Sequence, residues 1–121
     1  MTVKALLIDD DQALLTLNAM FLSLNGFETV SCRNGQEALE LFETVRPDVI
    51  ITDIMMPVMD GTNFLEQLEI KEDGADCPVI ILSGVKRSEI NIDHLQNSRI
   101  EVLQKPFSPD ELLERIKALL S

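Results

Sequence analysis

The chain predicts an α/β domain in which one parallel sheet carries helices on both faces. Short apolar runs alternate with longer stretches of helical period. The runs "VIIT" and "VIIL" are apolar on both faces, as strands are when helices cover both sides of a sheet. Helix start and stop residues fall in the gaps between the runs.

Residues 3–8 form the first strand, which ends in Asp9, Asp10 and Asp11. Leu14, Leu17, Phe21 and Leu24 then recur on one helical face, with Asp11 suited to cap the start and Asn25-Gly26 to stop the end. Residues 29–32 make the second strand. Asn34-Gly35-Gln36-Glu37 opens the second helix in the manner of a capping box, ahead of Ala38, Leu39 and Phe42. The third strand, 49–52, leads to Asp53. A third helix follows Asp60-Gly61, presents Phe64, Leu65 and Leu68, and ends in the polar loop "KEDGADCP". The fourth strand, 79–82, leads to Ser83. Residues 87–97 predict a short fourth helix, although Ile90, Ile92 and Leu95 fit a helical face poorly. The fifth strand, 102–104, leads to Lys105. Ser108, Pro109, Asp110 and Glu111 combine an N-cap, a first-turn proline and early acids before Leu112, Leu113, Ile116 and Leu120 of the fifth helix. Residues 1–121 thus read as one domain of five successive strand–helix units, whose crossovers are right-handed.

Composition narrows the function. The 121 residues are 45% hydrophobic and 26% charged, the balance of an ordinary soluble protein. No apolar run approaches the roughly 20 residues of a membrane span, and no signal sequence precedes the first strand, so the expected place is the cytoplasm, without a membrane partner. The formal net charge of −11 argues against direct contact with nucleic acid, whose binding depends on neutralising phosphates. Cys32 and Cys77 lack metal-like spacing and read as buried free thiols. A single histidine, His94, outside any motif and read as a solvated surface residue, with no Cys/His cluster, excludes a structural zinc site and argues against a Ser-His-Asp triad.

Parallel strands all point one way, so Asp9, Asp10, Asp53, Ser83 and Lys105 share one rim, the carboxyl rim where such sheets bind ligands. Three neighbouring carboxylates stay ionised comfortably only with a cation among them. Oxygen-only donors favour Mg²⁺, which takes one or two carboxylates and reaches to a phosphoryl oxygen. Lys105 can meet the same group as a point charge, and the Ser83 hydroxyl can donate to it. Asp53 is the candidate nucleophile, because a carboxylate is ionised at neutral pH and needs no general base. Each residue alone has an ordinary reading, as a helix cap, a turn with Gly84 or a surface lysine. Their arrival on one rim points to phosphoryl transfer.

The segments "LLIDDDQ", "PDVIITDIMMPVMDG", "PVIILSG" and "KPF", in this order and spacing, resemble the response-regulator receiver domains of two-component signalling systems, and the resemblance covers essentially the whole chain. It implies a flavodoxin-like three-layer sandwich with strand order 2-1-3-4-5 and five helices. It implies Asp53 as phosphoacceptor and Asp9, Asp10, Asp53 and the Met55 backbone carbonyl around Mg²⁺. Ser83 and Lys105 would hold the phosphoryl group, with a cis bond between Lys105 and Pro106. The donor would be a histidine kinase or histidine phosphotransfer protein of a phosphorelay. A downstream effector domain or protein would read the signal, and a homodimer on phosphorylation is among the implied assemblies. Two positions depart from the family. Val102 stands where an aromatic is usual, and "NSRIE" replaces a small-residue segment, so the signal is expected to travel through Ser83, Gly84 and residues 85–97. In the family the side chains two positions after the acceptor and two after the hydroxyl residue flank the approach of water; here these are Met55 and Val85, whose apolar side chains imply slow self-dephosphorylation. The alternative is a phosphohydrolase of the haloacid-dehalogenase type, whose D-x-D motif Asp9 and Asp11 imitate. That family usually has Thr or Val where Ala13 stands, and the first acids after Lys105, Asp110 and Glu111, are better explained as first-turn helix acids.

Overall fold

The structure, a computed structural model, describes residues 2–54 and 60–121. Five parallel strands, β1 (Lys4–Ile8), β2 (Glu28–Cys32), β3 (Val49–Asp53), β4 (Val79–Ser83) and β5 (Ile100–Gln104), lie in the order β2-β1-β3-β4-β5. Among the described residues four α-helices, α1 (Gln12–Leu24), α2 (Gly35–Val45), α3 (Gly61–Ile70) and α4 (Pro109–Leu120), cover the two faces of the sheet. The central strands β3 and β4 are buried along their whole length. Alternation along β3 sends Ile50 to the layer of α2 and α3, where Ala38, Phe42, Phe64 and Leu68 pack. Val49 and Ile51 face the layer of α1 and α4, with Leu15, Leu22, Leu112 and Ile116.

The caps expected at Asp11, Asn34 and Ser108 form, and Asp60 caps α3 as well. Asp11 accepts from the N–H groups of Ala13 and Leu14 at 3.1 and 3.2 Å, Asn34 from Glu37 at 2.9 Å and Asp60 from Asn63 at 2.9 Å. Ser108 and Glu111 close a reciprocal capping box. After α1, Gly26 adopts φ 89°, the left-handed turn that lets the chain reverse into β2.

Two expectations need correction. The buried face of α1 centres on Leu15, Asn18 and Leu22; of the expected Leu14, Leu17, Phe21 and Leu24, Phe21 packs partly buried against the core, while Leu17 and Leu24 face outward. Leu17 is 64% exposed and Leu24 84%, and with Met20 they form an apolar stripe turned outward. Leucines occur all round this helix, so their spacing alone could not choose the face. The second correction is the fourth of the five expected helices, which does not form. Among the described residues the connection from β4 to β5 holds only a single 3₁₀ turn, Arg87–Glu89. Ile90 and Ile92 are both buried in the core, and residues two apart share a side in extended chain but not in a helix. The segment is tied to α3 instead. Glu69 Oε1 accepts from the N–H groups of Gln96 and Asn97 at 2.6 and 3.0 Å, and the Asn97 side chain donates to the Cys77 carbonyl at 2.8 Å. The exposed His94 lies 2.9 Å from Glu66.

Candidate functional site

The carboxyl ends of β1 and β3 bring Asp9, Asp10 and Asp53 together, with one carboxylate oxygen of each within 4.8 Å of the others. Asp10 is exposed, whereas Asp9 and Asp53 are buried. Asp9 Oδ1 accepts from the Asp11 N–H at 2.9 Å. Its other oxygen, Oδ2, is buried without a hydrogen-bond partner among the described residues. Burial, more than the neighbouring charges of Asp53 and Asp10, pushes the Asp9 carboxyl up from 3.8 to about 6, against the lowering effect of the Asp11 N–H and of Lys105. A buried carboxylate oxygen without a donor, facing two further carboxylates, is an all-oxygen group that could hold a hard cation.

The other half of the rim comes from β4 and β5. Lys105 Nζ lies 3.3 Å from Asp53 Oδ2. The Lys105 N–H donates to the Ser83 carbonyl at 2.6 Å, which holds the two strand ends together, and the Lys105–Pro106 bond is cis. The Ser83 hydroxyl is engaged within its own turn: it donates to the Val85 carbonyl and accepts from the Val85 N–H, both at 3.0 Å. To donate to a phosphoryl oxygen it would have to release the Val85 carbonyl. Val102 is partly buried against the α2–α3 layer. Met55 lies outside the described residues. The two cysteines are buried free thiols, as expected.

Sequence reasoning missed Thr52. It is fully buried, and its hydroxyl donates to the backbone carbonyl of Asp53 at 2.9 Å. The available signal was a single hydroxyl in an otherwise apolar strand. Sequence reasoning also read Gly61 only as a helix start. A Cβ there would stand 2.8 Å from both the Asp53 carbonyl oxygen and Ile54 Cα, so only glycine lets α3 begin so near the acid. A separate cavity of about 560 Å³ opens at the opposite end of the sheet, lined by Phe42, Arg46, Asp48, Cys77 and Arg99 among others, and holds none of these groups.

The model of the response regulator receiver domain matches residues 5–117. Response regulator MprA of Mycolicibacterium vanbaalenii is 36% identical over 120 residues, which are 99% of this chain and 51% of that protein. The chain therefore spans about half the length of the regulators of this kind that it matches. The receiver domain of the Francisella response regulator 1452 is 37% identical, with a TM-score of 0.85 over 98% of this chain and 97% of that one. The receiver domain of the sensor histidine kinase PA1611 of Pseudomonas aeruginosa, solved with a magnesium ion coordinated in its active-site cleft, is 25% identical. Its TM-score is 0.87 over 99% of this chain and 98% of that one. Fold, strand order and sequence agree over nearly the whole length: the chain belongs to the response regulator receiver domain family.

Proposed function

We propose that this chain, residues 1–121, is one receiver unit that takes a phosphoryl group on Asp53 and switches conformation in response. The observation that carries the reading is the convergence on one carboxylate, Asp53, of two further acids and a lysine. In the transfer a carboxylate oxygen of Asp53 bonds to phosphorus as the bond from phosphorus to the donor breaks. The donor is a phosphohistidine of a histidine kinase or phosphotransfer protein, whose imidazole leaves with the electron pair. A small acyl phosphate serves equally, with its carboxylate as the leaving group. Lys105 balances charge on the transferred oxygens, and the Ser83 hydroxyl binds one of them once it has released Val85.

Asp9, Asp10 and Asp53, with the Met55 carbonyl, would hold Mg²⁺, which neutralises charge on the phosphoryl oxygens when bound. The unpartnered Asp9 oxygen and the all-oxygen donor set fit that ion. The chain would work in the cytoplasm; among the described residues no helix is long and apolar enough to cross a membrane. An effector domain or protein, or a second copy in a phosphorylation-dependent dimer, would read the state. Val85 and Met55 supply no group to orient a water, which supports slow self-dephosphorylation.

The phosphohydrolase alternative is not favoured. Its required late acids would be Asp110 and Glu111, and Glu111 instead accepts from the Ser108 N–H at the start of α4. Incubation with Mg²⁺ and acetyl phosphate should add one phosphoryl group, and Asp53→Asn should abolish it. Equal labelling of the Asp53→Asn protein would refute the assignment, and multiple turnover on a phosphate ester would revive the alternative.

A further inference from the structure

A fully buried hydroxyl has few acceptors to choose from, and it is costly to leave without one. Thr52 shares its sheet face with Ile50, under the layer of α2 and α3, and every other residue of "VIIT" is apolar. Its hydroxyl turns to the carbonyl of the next residue, Asp53, at 2.9 Å. The same peptide is also confined by α3: the first residue of that helix, Gly61, leaves no room for a Cβ against the Asp53 carbonyl, and its N–H donates to the Ile54 carbonyl at 2.8 Å. The direction of the Asp53 carbonyl sets the ψ angle of Asp53. With the chain downstream fixed at Gly61, a change in that angle shifts the Asp53 Cα and swings its carboxylate relative to Asp9, Asp10 and Lys105.

We propose that Thr52 is a positioning residue for the acceptor, its hydroxyl locking the peptide that follows Asp53 so that the carboxylate is held in line for attack on phosphorus. This rests on the reading of Asp53 as phosphoacceptor. Thr52 touches neither the phosphoryl group nor the metal site; it acts through the backbone. A valine in its place keeps the β-branched shape and loses only the hydroxyl, and a serine keeps the hydroxyl and loses the methyl.

The experiment measures initial rates of phosphoprotein formation against acetyl phosphate concentration in saturating Mg²⁺, for wild type, Thr52→Val and Thr52→Ser, with Asp53→Asn as control. Thr52→Val should lower the maximum rate about tenfold with the half-saturating donor concentration unchanged, since misplacing a reacting group costs rate rather than binding. Thr52→Ser should restore it. A wild-type rate in Thr52→Val, or an equally slow Thr52→Ser, overturns the proposal, because packing of the methyl would then explain everything. A direct readout does not depend on any variant folding. In the wild type the Thr52 hydroxyl proton should give a slowly exchanging resonance correlated with the Asp53 carbonyl carbon, and a hydroxyl in fast exchange overturns the proposal equally. Undiminished labelling of Asp53→Asn would instead overturn the reading of the acceptor, so the two failures are distinguishable.

Discussion

The two halves of the carboxyl rim are built on opposite terms. At the ends of β1 and β3 the packing is complete and the electrostatics are not. Asp11 caps α1, Asp60 caps α3, and the helices that follow bury Leu22 and Phe64 fully, yet among the described residues Asp9 keeps a buried oxygen without a donor. At the end of β4 the polar groups are satisfied and the packing is light. The Ser83 hydroxyl has two bonds, but no α-helix follows it, and the chain from 84 to 99 holds to the body through Ile90, Ile92, Leu95 and the Glu69 clamp. Charge strain thus sits where the scaffold resists it, and freedom to move sits where few apolar contacts oppose it. On the proposed reading a cation would complete the first half without moving it, and a phosphoryl group would rearrange the second.

The largest effect that tests this contrast is a core truncation on each side. Phe64→Ala in α3 should cost about 3–5 kcal/mol of global stability in urea titration, and Ile92→Ala about 2 kcal/mol, because the looser segment can collapse around the gap. Equal losses would break the comparison.

Next is the pH dependence of the metal-free protein in dilute solution. The folded state keeps on Asp9 a proton that the unfolded chain has already lost between 3.8 and about 6. The unfolded state therefore binds fewer protons in that window, and stability should fall as pH rises through it, by up to about 3 kcal/mol. Asp9→Asn should flatten the slope, and Mg²⁺ should oppose it by binding the folded state. A wild-type slope unchanged in Asp9→Asn would show that the acid half carries no such strain.

A smaller effect belongs to the other half. Glu69→Ala should raise amide exchange at Gln96 and Asn97 about tenfold, for a local loss of about 1–2 kcal/mol, and leave the amides of α1 unchanged. Exchange that rises throughout the molecule would show that the segment is not a separate unit.

The smallest is a matter of rates. Burial pushes both thiols up to about 12, helped by Glu37 at Cys32 and by Asp48 at Cys77, so both should alkylate slowly near neutral pH. Cys77, whose carbonyl anchors Asn97, should become the faster of the two in Glu69→Ala. Equal rates would place the opening elsewhere.

Much of this was legible in the sequence because it depends on short-range chemistry. The strands, the caps at Asp11, Asn34 and Ser108, and the meeting of Asp9, Asp10, Asp53 and Lys105 follow from periodicity, capping and the common direction of parallel strands. The buried face of α1 was not legible, because Asn18 takes a core position while leucines face water. The β4–β5 connection was misread because its hold on the molecule is a clamp from Glu69, 27 residues away from Gln96 in the chain. Side-chain partnerships of that range leave no periodic trace. The engagement of Ser83 with Val85 and of Thr52 with Asp53 likewise depends on rotamers, which residue type alone does not decide.

The outward stripe of α1 has a consequence for how copies of the protein coexist in solution. Leu17, Met20 and Leu24 lie on a helix without one charged residue, so the repulsion that keeps two such surfaces apart comes from the rest of the molecule, through its formal net charge of −11. Repulsion of that kind reaches only about 8 Å at physiological ionic strength, and it vanishes near the sequence isoelectric point of about 4.3. Colloidal stability here is a property of the solvent as much as of the surface: dilute neutral buffer disperses the molecules, while concentrated salt or mild acid lets the bare leucines meet.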